Sequence, residues 1–215
     1  MSKLINNIAK LKAEIPSNVE VVLATKYASI DDIGIISSEY ENIIFGENRV
    51  QSGDEKQQHY PNIKNPWHFI GHLQRNKVKK VLQNYALIHS VDSLRLIDEI
   101  NSQSEKKQIT SNILLQLNPI NEESKFGFGI NELNKIENQL MDYKHLNIQG
   151  LMTMAPHTEN VKDIKKTFKE SRKVYDKMKL NGFNFNFLSM GMSNDYKIAI
   201  DEGSNMIRIG SIIFR

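Results

Sequence analysis

Lys26 closes a run of strand-forming residues, Glu20-Val21-Val22-Leu23-Ala24-Thr25, and a helix start follows at Ser29-Ile30-Asp31-Asp32. A lysine at the end of a buried strand is ordinarily a solvated rim residue. It becomes a candidate nucleophile only if other segments converge on the same point. Two segments near the carboxyl end have the composition to do so: Ser189-Met190-Gly191-Met192-Ser193-Asn194-Asp195 and Arg208-Ile209-Gly210-Ser211. A glycine- and serine-containing turn entering a helix exposes unpaired backbone N–H groups, and the helix dipole favours an anion beside them. Gly191, Ser193, Gly210 and Ser211 could therefore hold one phosphate between them. Any one of these glycines alone would indicate only a tight turn. An amine and a phosphate site on one rim suit a phosphorylated aldehyde or ketone held as a Schiff base. The amine must then be neutral, which desolvation or a nearby cation favours, and Arg208 is such a cation.

The elements that would position these residues follow from the apolar pattern. Short apolar runs recur at 19–24, 42–45, 68–70, 87–91, 112–117, 147–152, 185–188 and 206–209. Polar stretches of helical period separate them, at 31–40, 48–60, 75–84, 93–106, 131–143, 161–180 and 194–202, as parallel βαβ units require. Leu4, Ile5, Ile8, Leu11 and Ile15 add an amphipathic first helix that Pro16 stops. An eight-stranded (β/α) barrel with an amino-terminal helix is the economical arrangement, and a doubly wound open sheet is the alternative. No linker or composition shift interrupts the rhythm, so residues 1–215 read as one domain. The longest irregular loop is 118–129. In a barrel the loops after strands seven and eight are a recurring phosphate site, which agrees with the two turns above.

With 215 residues, 40% hydrophobic and 25% charged, the composition is that of a soluble globular protein. A net charge of +3 is too small to argue for nucleic acid. The basic residues of 72–80 and 162–166 read as solvated helix faces. There is no cysteine, hence no disulfide and no thiolate metal site, which is compatible with the cytoplasm. No signal core or membrane span is expected. An amine and a phosphate site together fit either pyridoxal phosphate or a phosphosugar in an aldolase-like reaction. A binding module for RNA or protein is the remaining class.

The segment Trp67-His68-Phe69-Ile70-Gly71-His72-Leu73-Gln74-Arg75-Asn76-Lys77 resembles the signature of the pyridoxal phosphate homeostasis protein family. Similar features run along almost the whole chain, in order. They are Ala24-Thr25-Lys26, Gly46-Glu47-Asn48 with Gln51, His89-Ser90-Val91-Asp92, Ser124-Lys125-Phe126-Gly127, Gly150-Leu151-Met152, Ser189 to Asp195, and Arg208-Ile209-Gly210. The resemblance implies a barrel like the amino-terminal domain of alanine racemase, with pyridoxal 5'-phosphate carried on Lys26 as an internal aldimine. It implies that Ser193 and the backbone at Met192, Gly210 and Ser211 hold the phosphate. Arg208 would face the pyridine nitrogen, Asn48 would lie near the ring substituents, and Ser189 and Met190 would join the cofactor-binding set. No metal is implied. Tyr27-Ala28-Ser29-Ile30 departs from the residues usual after the lysine, and Phe214-Arg215 stands where the family commonly continues with glycine.

The implied site holds a cofactor without an obvious reaction. Pyridoxal phosphate is a strong electron sink when its ring nitrogen is protonated, usually by a carboxylate partner. Arginine only donates hydrogen bonds, so Arg208 would leave that nitrogen unprotonated. Racemisation tolerates an arginine there but needs an acid or base on each face of the substrate carbon. Lys26 could serve one face. His68, His72 and Tyr27 are candidates for the other, though each reads more simply as structural. Lys125 is a second amine that could relay the aldehyde, or a plain helix-entry lysine. The expectation is a cytoplasmic, monomeric carrier that buffers, protects or delivers pyridoxal phosphate, with apo-enzymes or synthesising enzymes as its partners. An amino-acid racemase is the alternative, and a Schiff-base aldolase stands further off.

Overall fold

The computed structural model describes residues 2–122 and 125–215. Helix α1 (Lys3–Glu14) starts where the Ser2 hydroxyl accepts the Ile5 N–H, and it buries Ile5, Ile8 and Leu11. Eight parallel strands then close a ring: β1 (Glu20–Ala24), β2 (Ile44–Glu47), β3 (Trp67–Phe69), β4 (Leu87–Val91), β5 (Ser111–Gln116), β6 (Leu146–Met152), β7 (Phe187–Met192) and β8 (Met206–Ile209). The seam is β1 against β8, with Glu20 opposite Met206 and Val22 opposite Arg208. That pairing excludes the open sheet. The intervening helices are α2 (Ile30–Glu39), α3 (Val50–His59), α4 (Val78–Asn84), α5 (Leu94–Lys106), α6 (Ile130–Met141), α7 (Val161–Leu180) and α8 (Tyr196–Asp201). A short α9 (Ser211–Phe214), absent from the sequence-based reading, follows β8.

Strand side chains alternate between two environments. Outward-facing residues such as Leu23, Phe45, Phe69, Ile88, Leu115 and Ile207 pack under the helices. Inward-facing Val22, Ile44, Leu87, Leu114, Met152 and Met206 fill the lower barrel. Two residues further along several of the same strands, the inward positions become polar: His89 after Leu87 and Arg208 after Met206, with Ser189 on β7 and His68 on β3, all buried. The barrel is therefore hydrocarbon below and polar at its carboxyl end.

Most elements match expectation to within a few residues, and β7 is the exception. It begins two residues late and extends through Ser189-Met190-Gly191-Met192, which the sequence suggests is a turn. Phe183 and Phe185 instead cluster with Tyr175 of α7, whose hydroxyl donates to the Phe185 carbonyl. They anchor the segment entering the strand. Gly191 has φ +96, and a Cβ there would press on Ala199 and Tyr196, so the strand ends against α8 at a spacing only glycine allows.

Gly150 (φ +150) lies in β6, next to a register shift between β5 and β6, and a Cβ there would run into the Phe187 carbonyl of β7. Gly150→Ala is expected to lower unfolding free energy by about 3 kcal/mol from backbone strain and overpacking, measured by urea denaturation. A change below about 0.5 kcal/mol would contradict this packing.

Candidate functional site

The carboxyl ends of β7, β8, β1 and β2 are neighbours in the ring, and the residues singled out by sequence lie on the ends of these strands or on the turns that follow them. Lys26 sits in a single 3-10 turn (Thr25–Tyr27) between β1 and α2. The start of α2 is fixed immediately downstream by a capping box, in which Ser29 Oγ accepts from Asp32 N and Asp32 Oδ2 accepts from Ser29 N. Lys26 is exposed, so the expected desolvation of its amine is not found. Nζ lies 5.2 Å from the centroid of the Tyr27 ring and makes no hydrogen bond or ion pair among the described residues. The Arg215 guanidinium stacks on the same ring at 3.9 Å.

Arg208 is 5% exposed. One terminal nitrogen donates to Ser189 O at 2.9 Å and to Ser189 Oγ at 2.7 Å, and the other donates to Thr153 O at 2.8 Å. Two of its five N–H groups have no acceptor among the described residues, so they remain available to a ligand. Burial lowers its pKa to about 10, with the Asp195 carboxylate acting in the opposite sense, so the group stays charged at neutral pH. Ser189 Oγ continues a polar chain to His89 Nδ1 at 3.1 Å, and His89 Nε2 meets His68 Nδ1 at 3.0 Å. Burial moves His68 down to about 4. His89 is held well below the usual range by burial, by His68 and by Arg208. Both imidazoles are neutral and serve as connectors to Arg208.

The two glycine–serine turns face each other. Gly210 N donates to Ser193 Oγ at 3.3 Å, and Met192 N donates to Asp195 Oδ1 at 2.6 Å. A Cβ on Gly210 would lie 3.3 Å from Ala24, so the β8 turn closes directly on the strand that carries Lys26. Ser211 opens α9, where a first-turn N–H has no helical acceptor. Met190 is fully buried in the outer apolar cluster, which leaves only its main chain toward the barrel. Asn48 is half-buried beside Gly71, where a Cβ would strike the Asn48 carbonyl.

Other candidates are engaged elsewhere. His72 lies 3.3 Å from Asp92 and stacks on Phe126, whose ring is 60% exposed. Lys125 donates to the Ala155 carbonyl and pairs with Glu122 at 3.0 Å, while Ser124 falls outside the described residues. Sequence reasoning missed three supports of the site: Thr153, whose carbonyl holds Arg208, and the buried pair Glu47 and Lys56. The spacing of Val50, Gly53 and Lys56 puts Lys56 on the packed face of α3, a signal available in the sequence.

The histidine chain predicts a pH dependence. His68 is neutral in the fold, whereas an unfolded-chain histidine takes up a proton below about 6.5. The unfolded state then binds more protons, so stability is full above about 6.5 and falls as pH drops toward about 4. Between pH 7 and pH 5 His68 should remove about 2 kcal/mol, read as the difference in urea-unfolding free energy between the wild type and His68→Asn. Equal losses in the two proteins would contradict a neutral His68.

The described helices include none long and apolar enough to cross a membrane. Residues 1–215 match the family described as alanine racemase, N-terminal domain. The pyridoxal phosphate homeostasis protein of Helicobacter pylori is 39% identical over 202 residues, covering 92% of this chain and 87% of that one. Its counterpart in Synechocystis is 36% identical over 210 residues, covering 96% and 95%. PipY of Synechococcus elongatus PCC7942, solved with PLP bound, superposes with a TM-score of 0.91 at 27% identity, over 99% of this chain and 100% of that one. Alanine racemase of Clostridium difficile 630 shares the fold at 16% identity, with a TM-score of 0.78 over 98% of this chain and 55% of that one. The chain thus belongs to the alanine racemase N-terminal domain family, and within it to the pyridoxal phosphate homeostasis proteins.

Proposed function

We infer that this chain binds pyridoxal 5'-phosphate reversibly at Lys26 and serves cofactor homeostasis rather than amino-acid turnover. The observation that carries the reading is the meeting of an uncommitted Lys26 amine, the Ser193–Gly210 contact and a buried Arg208 on adjacent strand ends. The relatives named for pyridoxal phosphate homeostasis and the PLP-bound PipY support it. When bound, pyridoxal phosphate supplies an aldehyde that condenses reversibly with an amine.

The residues present fit that group. Ser193 Oγ and the N–H groups of Gly210 and Ser211 would hold the phosphate; Gly210 N would exchange its contact with Ser193 for the ligand. Met192 N, which donates to the Asp195 carboxylate, would likewise exchange that contact for the phosphate. Arg208 would direct a free N–H at the ring nitrogen and keep it unprotonated, since guanidinium has no proton to give at neutral pH. Asn48 would lie beside the ring, and Ser189 would act through Arg208. Of the candidates for a second acid or base, His68 is neutral and bound to His89, His72 is paired with Asp92, and the Tyr27 ring is stacked under Arg215. In this reading residues 1–215 form one cofactor-binding domain, acting as a cytoplasmic monomer that exchanges pyridoxal phosphate with other enzymes.

The protein mixed with pyridoxal phosphate should gain an absorption band at the boundary of the near ultraviolet and visible. Borohydride reduction and peptide mapping should place the cofactor's mass on Lys26, and Lys26→Ala should lose both signals. An unchanged band in Lys26→Ala would remove Lys26 as anchor. Turnover of an L- or D-amino acid on the order of 1 per second or faster would replace this reading with a racemase-type enzyme.

A further inference from the structure

The turn that carries Lys26 is held from beneath by a charge pair that the cofactor does not need for contact. Glu47, at the end of β2, is 1% exposed, and Lys56, on α3, is 6% exposed. Their Nζ–Oε2 distance is 2.7 Å. Lys56 Nζ also donates at 2.7 Å to the carbonyl of Thr25, the residue immediately before Lys26. The Thr25 hydroxyl is shared between Glu47 Oε2 at 2.9 Å and the Gly46 carbonyl at 3.1 Å. Ser52 Oγ reaches the same carboxylate oxygen at 3.2 Å. The other oxygen accepts Asn48 N at 2.7 Å and Arg49 N at 3.3 Å, which caps α3 in place of the Arg49 side chain.

One carboxylate thus fixes both the turn of Lys26 and the main chain of Asn48. A pair serving stability alone could be replaced by apolar residues with little loss, because two charges withdrawn from water must recover their hydration through contacts. Here the contacts go to the backbone on either side of the candidate anchor. Lys26 itself is exposed and held by no hydrogen bond of its own among the described residues. The turn beneath it therefore sets the point and direction from which its side chain leaves the backbone.

We propose that Glu47 and Lys56 are positioning residues that orient the Lys26 amine for condensation with a bound aldehyde. In that step Nζ replaces the aldehyde oxygen, which leaves as water, so no oxidant or reductant is required. The proposal rests on the cofactor reading above and adds the two residues that make the anchor competent.

The test compares two ligands on the intact protein: pyridoxal 5'-phosphate, and pyridoxine 5'-phosphate, which carries an alcohol in place of the aldehyde. Lys56→Met is expected to weaken pyridoxal phosphate by about tenfold or more while changing pyridoxine phosphate by less than about twofold. Lys56→Met leaves Glu47 charged and unpaired, so Lys56→Met/Glu47→Gln, which buries no charge, provides a second folded variant, checked by circular dichroism. It should show the same split. Equal weakening of both ligands, or wild-type affinity for pyridoxal phosphate in the double variant, overturns the proposal. If the wild type takes no pyridoxal phosphate onto Lys26, the cofactor reading fails. The positioning role is then read from borohydride trapping of salicylaldehyde at Lys26, which should be about tenfold slower in the double variant. Equal trapping rates overturn it.

Discussion

Arg208 carries a positive charge into a barrel whose lower half is hydrocarbon, and the neighbouring strands are arranged to make that tolerable. A buried guanidinium without partners would cost more than the fold can spare. Its acceptors here are neutral: two main-chain carbonyls and a serine hydroxyl, with two uncharged histidines continuing the chain. The Asp195 carboxylate acts on it only electrostatically. Neutral acceptors satisfy the hydrogen bonds and leave the charge uncancelled. The mouth therefore keeps a preference for anions and for lone pairs, which is the character a phosphorylated pyridine ring presents.

The same fold supports other chemistry elsewhere. Alanine racemase shares the barrel at 16% identity, which speaks to architecture alone. What decides reactivity is local. His68 and His89 are neutral and tied to Arg208 in one hydrogen-bonded chain through Ser189. A site built this way suits retention and release better than turnover.

The sequence carried the repeating elements clearly because each strand is a short apolar run and each helix has its own period. Helix α7 and strands β4 and β8 matched to the residue. Strand β7 did not, because Ser189 and Gly191 look like turn residues when only their types are visible. Tertiary contacts decide otherwise: Ser189 is an inward polar position serving Arg208, and Gly191 is small for the sake of α8. In the site, Lys26 and Arg208 were legible as types at strand ends. The supports of Arg208 were less so, since a carbonyl such as that of Thr153 belongs to every residue and marks none. Lys56 was hidden differently, as a charged residue among many on a polar helix, marked only by its spacing from Val50 and Gly53.

The seam of the ring joins the first strand to the last, with Glu20 opposite Met206 and the Gly210 turn lying against Ala24. Lys26 belongs to the first βα unit, and Arg208, Gly210 and Ser211 belong to the last. During synthesis the amine therefore waits for nearly the entire chain before its proposed counterparts arrive. A partly made chain has the lysine and lacks the mouth. On the proposed reading, a ribosome-bound nascent chain would complete its cofactor mouth only once its final strand had emerged and docked.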